Sequence, residues 1–111
     1  MKSDRLYLEH ILQVIERIEG ATREGKAAFL ESQLHQDAVL RNLHTMTETA
    51  QRLSGDLKSR YPEVEWAKLA AFRNVLVHDY LGIDTELIWN AITQDVPQFK
   101  AVATRMLDSV E

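Results

Sequence analysis

Cysteine is missing from this chain of 111 residues, and its absence excludes disulfides, thiolate zinc sites and cysteine nucleophiles. That suits a reducing cytoplasm, which is the expected location. No apolar run approaches the roughly 18–20 residues that a membrane span needs. The opening stretch MKSDRLYLEH carries charges where a secretory signal needs an apolar centre, so no membrane is expected among its partners. An excess of positive charge is lacking too. The formal net charge is −4, so any grip on nucleic acid must be local rather than a field of the whole protein. Strand signals are nearly absent, with no alternating run closed by a hairpin turn.

What is present is apolar periodicity. Hydrophobic residues make up 45% of the sequence, enough for a packed core, and the length suits one domain over residues 1–111. A domain of this size buries its surface inefficiently and gains from association. Leu8, Ile11, Leu12, Ile15 and Ile18 form one helical stripe, with Ser3 and Asp4 placed to cap its start and Gly20 to stop it. Residues 21–32 read as a connector of mixed character. Val39, Leu43, Met46, Ala50 and Leu53 form a second stripe with the spacing of a bundle seam. Pro62 breaks the pattern, and EWAKLAAFRNVLVH then reads as a third helix. DYLGID, residues 79–84, is a loop, and Asp84 or Thr85 caps a fourth helix carrying Leu87, Ile88, Ala91 and Ile92. Pro97 suits the first turn of a fifth, on which Phe99, Val102, Ala103, Met106, Leu107 and Val110 recur. The expected fold is all-α, an up-and-down bundle of four to five helices.

One cation falls on the wrong side of this pattern. On an ideal wheel of roughly 100° per residue, Trp66, Leu69, Ala70, Phe72, Leu76 and Val77 share a broad arc, and Arg73 lies inside it. A guanidinium stays charged, so it needs an anion or an exit to water. Three readings are open: an ion pair across to Glu48 on the second helix, a buried stem with its head in solvent, or a phosphate ligand at a cleft or subunit contact. His78 lies about 140° further round the same wheel. It is suited both to the negative end of a helix and to proton transfer near neutral pH. Tyr80 taken alone is a loop aromatic with its hydroxyl in water. His44 and Glu48 stand four apart, a spacing that can share a metal ion, but two ligands fall short of a zinc set and a polar pair accounts for them. His10 and His35 read as helix-surface or boundary residues.

Together Arg73, Asn74, His78 and Tyr80 in RNVLVHDY resemble the Arg-polar-x-x-x-His-x-Tyr signature of HEPN-domain ribonuclease toxins. More narrowly, they resemble the HepT toxins, which are paired with a minimal nucleotidyltransferase antitoxin, MntA. The flanks are similar as well: VEWAKLAAFRNVLVHDY, LIWNAI followed by a proline and a last helix, and DAVLRNLHTMTETAQRL. The chain departs from the family where Thr47-Glu48-Thr49 replaces a frequent Gly-Glu-Ala, and at Ala71, where many relatives have glycine.

The resemblance implies a HEPN-like fold and the toxin of a type VII-like toxin–antitoxin system. The toxin would be an endoribonuclease that uses no metal or other cofactor and cuts RNA, tRNA or mRNA, by attack of the 2′-hydroxyl. Arg73 and His78 would be catalytic, with Asn74 and Glu48 supporting them. Two copies of the motif would face each other in a homodimer, as a shared patch on a two-fold axis allows. Tyr80 would receive AMP from the partner nucleotidyltransferase, which silences the toxin. The other implied role is a non-catalytic HEPN module that binds a nucleotidyltransferase or a nucleotide.

Overall fold

The computed structural model describes residues 2–78 and 82–110. The described residues are helical throughout, apart from turns, and no strand occurs among them. Two long helices, α1 (Lys2–Ala21) and α3 (Gln33–Gln51), are separated by the short α2 (Lys26–Glu31). The short α4 (Gly55–Ser59) leads to α5 (Trp66–His78), and α6 (Thr85–Asn90) runs through a π-helical turn (Ala91–Asp95) into α7 (Val96–Ser109).

Contacts at the helix ends fix the directions. Asp4 at the start of α1 meets Ser54 just past the end of α3, so these two run antiparallel. Arg5 reaches the Val110 carbonyl at 3.4 Å while Glu19 pairs with Lys100 at 2.9 Å, so α7 runs antiparallel to α1. Arg73 meets Glu48 while Trp66 and Leu69 lie beside Ala50 and Gln51, which sets α5 antiparallel to α3. The up-and-down order expected from the sequence is the order found.

The core also follows the stripes, with additions. Leu8, Ile11, Ile15 and Ile18 are fully buried, and Val39, Leu43, Met46 and Ala50 on α3 and Leu53 just past it are buried as well. Val14 is equally buried because α1 packs against both α3 and α7, which widens its apolar face beyond a single seam. Thr47 and Thr49 are buried polar residues of α3. Their hydroxyls donate to the His44 and Thr45 carbonyls of their own helix, so no unmet donor enters the core.

Four expectations change. Asp4 does not cap α1; its carboxylate is buried and accepts from Ser54 N and Ser54 Oγ at 2.8 and 2.7 Å. Ser54 Oγ accepts in turn from Leu57 N, so a long-range carboxylate anchors the cap of α4. Gly20 does not end α1. The chain turns later, where Thr22 Oγ1 donates to the Ile18 carbonyl at 2.8 Å and Gly25 adopts φ +97°, a left-handed angle that a β-carbon would strain. Residues 21–32 are more than a connector, since α2 buries Phe29 with its ring 5.4 Å from that of Trp89. Finally, the fourth and fifth helices are one continuous path. The Val96 N–H bonds to the Ala91 carbonyl, five residues back, and this wider turn leads into a helix with Pro97 in its first turn. Ahead of and within this turn Ile88, Ala91 and Ile92 are buried, whereas Leu87, expected with them on the apolar face, is exposed.

Candidate functional site

The third long helix is the least buried of the set. Among the described residues of α5, Leu76 alone is buried, although Leu69, Ala70, Phe72, Val75 and Val77 share the helix and are half-buried. The arc that holds Arg73 is therefore partly open, and this reconciles a permanent cation with an apolar segment.

Arg73 is met by an acid on α3. Its Nε donates to Glu48 Oε2 at 2.9 Å and its Nη2 to Glu48 Oε1 at 3.2 Å, a two-pronged pair that fixes the plane of the guanidinium. Nη1 donates to Asn74 Oδ1 at 3.3 Å. Among the described residues these contacts engage three of the five N–H donors that a guanidinium carries. The Arg73 side chain remains 30% exposed and that of Glu48 36%. The pair thus sits at the surface of the bundle, with part of the cation facing outward.

Glu48 has a second neighbour. His44, one turn earlier on α3, places Nε2 3.2 Å from Glu48 Oε2. That nitrogen is shut off from solvent and lacks an aligned hydrogen-bond acceptor, so the contact is one of charge when the imidazole is protonated. The hydrogen bond from Arg73 holds the Glu48 carboxyl below its ordinary value, against an opposing effect of desolvation, and the charges of Arg73 and His44 add to the lowering. Among the described residues no group of three or more His, Asp or Glu side chains could hold a metal ion.

The predicted residues divide by position. Arg73, Asn74 and Glu48 are brought together. His78 is the last residue of α5 and is exposed. Five residues on from Arg73, it is displaced by roughly 7.5 Å along the helix axis. Tyr80 lies outside the described residues. No helix among those described is long and apolar enough to cross a membrane.

One feature was not anticipated. Tyr7 and His10 on α1 face His44 and Glu48 on α3 and Arg52 just past its end across an open groove of about 400 Å³. The signal in the sequence is a double one, a three-residue step on α1 against successive four-residue steps on α3. It emerges only once the two helices are known to be antiparallel neighbours.

Comparison with known proteins gives the chain its relatives. The family described as "Ribonuclease HepT-like" matches residues 11–106. A "Probable ribonuclease HepT" of Thermococcus cleftensis is 36% identical over 100 residues, covering 89% of this chain and 91% of that protein. A "Putative RNase" of Caldanaerobacter subterraneus subsp. tengcongensis is 31% identical over 111 residues, covering 96% of each. A "Gamma-glutamylcyclotransferase and putative RNase" of Methanocaldococcus jannaschii is 30% identical over 111 residues, and there the chain spans 50% of the relative's length. No solved structure matches at a significant level.

Proposed function

This chain belongs to the ribonuclease HepT-like family, and from that premise we propose that it is a metal-independent endoribonuclease, the toxin of a type VII-like toxin–antitoxin system. The observation that carries the reading is the two-pronged hold of Glu48 on Arg73. It presents a fixed, partly exposed cation on the helix that ends in His78.

The chemistry follows from what these groups offer. The His78 imidazole takes the proton of an RNA 2′-hydroxyl. The freed oxygen attacks the adjacent phosphorus, the bond to the 5′-oxygen breaks, and that oxygen leaves with a proton. The products are a 2′,3′-cyclic phosphate and a 5′-hydroxyl. Charge that builds on the phosphate oxygens is met by the Arg73 N–H donors that Glu48 leaves free. Asn74 holds the guanidinium from the other side. DNA lacks the attacking hydroxyl and is spared.

One imidazole and one guanidinium make a sparse site, and a homodimer completes it. The half-buried apolar surface of α5 around Arg73 supports this face as the contact, because a two-fold axis through it brings both motifs into one cleft. Control falls to Tyr80, two residues beyond His78. AMP transferred to its hydroxyl from ATP by a partner nucleotidyltransferase adds bulk and negative charge beside the phosphate site and repels RNA.

The test is incubation of the purified chain with total RNA in excess chelator, with the new ends identified chemically. Cyclic phosphate ends that disappear in His78→Ala support the reading. RNA left intact by the wild-type chain under all conditions, while it still binds the nucleotidyltransferase, would identify a non-catalytic HEPN module instead. For the control step, Tyr80→Phe retains cleavage and gains no AMP mass on incubation with the partner and ATP; an AMP adduct on that variant would overturn the assignment of the tyrosine.

A further inference from the structure

The groove between α1 and α3 gathers basic side chains. The protein carries a formal net charge of −4, yet the titratable walls here are His10, His44 and Arg52 against the single carboxylate of Glu48. That carboxylate is already committed to Arg73. Among the described residues Arg52, like Arg17, Arg23 and Arg41, has no ion-pair partner, whereas Arg5, Arg60, Arg73 and Arg105 have one. Arg52 is therefore the groove's own permanent cation, with two imidazoles beside it, and the groove's neighbour through Glu48 is the proposed phosphate ligand itself.

Tyr7 supplies the other half of a nucleotide site. Its ring is half-buried against the core and lines the groove beside these cations. Single-stranded RNA is bound in this way elsewhere, with a base on an aromatic face and its phosphate on charged N–H donors. Arg52, the residue that caps α3, lies one helical turn beyond Glu48, roughly 6 Å along the helix axis, a step on the scale of one nucleotide. We propose that this groove is a nucleotide subsite that seats the RNA residue next to the phosphate held at Arg73. Its base rests on Tyr7, and its phosphate is held by Arg52 with His10 beside it. The placement of the subsite rests on the ribonuclease reading of Arg73; the binding of RNA in the groove is tested apart from it.

The experiment uses a labelled single-stranded 2′-O-methyl oligonucleotide, which the proposed reaction cannot cut, and follows binding by fluorescence anisotropy. Cleavage kinetics on the matching RNA run in parallel. Arg52→Glu and Tyr7→Ala should each weaken binding by about tenfold, the scale of losing one stacked or charged contact. On cleavable RNA they should raise KM far more than they lower kcat. Arg52→Lys and Tyr7→Phe should recover most of the loss, and thermal melting checks that all four variants fold. Unchanged binding in Arg52→Glu and Tyr7→Ala overturns the subsite, and if the wild-type chain still cuts RNA the nuclease reading survives that result. Conversely, a chain that cuts no RNA but binds the oligonucleotide through Tyr7 and Arg52 keeps the subsite and loses the nuclease reading. Failure of the wild-type chain to bind the oligonucleotide, with Arg52→Glu weakening capture of the nucleotidyltransferase, assigns the groove to the partner protein and overturns the subsite.

Discussion

Glu48 and Arg73 meet across α3 and α5 with both carboxylate oxygens and two guanidinium nitrogens engaged, at 2.9 and 3.2 Å. The geometry sets the plane of the arginine, and the partial exposure of both side chains, 36% and 30%, limits what the pair adds to stability. Position and stability are thus separable here, which makes the role of the acid testable.

Glu48→Gln keeps the shape of the side chain and removes its charge. RNA cleavage should fall by about 10²-fold, the effect of a small misplacement of a group that holds the reacting phosphate, while the melting temperature shifts little. Arg73→Lys should lose activity to a similar degree, since an ammonium cannot reproduce the fork. Strong destabilisation with cleavage retained would assign the pair to the fold alone.

Acid should weaken the fold through two carboxylates. Glu48 is held below its ordinary value of 4.5 chiefly by the Arg73 hydrogen bond, and Glu63 by a hydrogen bond from its own backbone and then by Arg105. Both stay ionised in the folded state at pH values where the unfolded chain has taken up protons. Their contribution is present above the unfolded value and is lost as pH falls through the lower folded values. Urea midpoints measured from pH 7 down to pH 3 should hold level and then drop below about pH 4.5. The double variant Glu48→Gln, Glu63→Gln should drop less steeply.

Asp4 joins the first turn of α1 to the cap of α4. Asp4→Ala leaves the Ser54 N–H and hydroxyl without their acceptor, and should cost about 1–3 kcal/mol. Equilibrium denaturation reads the loss directly; a neutral result would mean that water replaces the carboxylate.

Phe29 tests whether α2 belongs to the core. The ring is 1% exposed and packs on Trp89, so Phe29→Ala should cost about 3–5 kcal/mol by opening a cavity. Leu34→Ala nearby on α3, 79% exposed, should change stability little.

Much of the bundle was legible because its helices bury regular stripes. The spacing of Val39, Leu43, Met46, Ala50 and Leu53 has one helical solution, and all five are buried. Phe29 was less legible: six residues of helix are too few to show a period, and the ring declares itself only against Trp89. Asp4 misled because a carboxylate near a helix start suits a local cap, while its actual partner lies fifty residues away. At the site, Arg73 was conspicuous as a cation in an apolar arc, and Glu48 was identifiable as an acid beside a seam residue. Tyr7, His10 and Arg52 were not linked to them, because no pattern within one helix joins residues on two.

The sequence by itself determined which faces are apolar, roughly where the long helices run and which residues bear the family's motif, because these are matters of local period and residue chemistry. Tertiary structure decided which side chains meet: that the arginine is held in a plane by an acid on α3, that this acid is shared with His44, and that a groove lined by Tyr7, His10 and Arg52 opens beside it. The physical reason is range. Helical periodicity acts over a few residues, whereas an ion pair or a groove between helices exists only when antiparallel packing brings distant positions within a few ångströms.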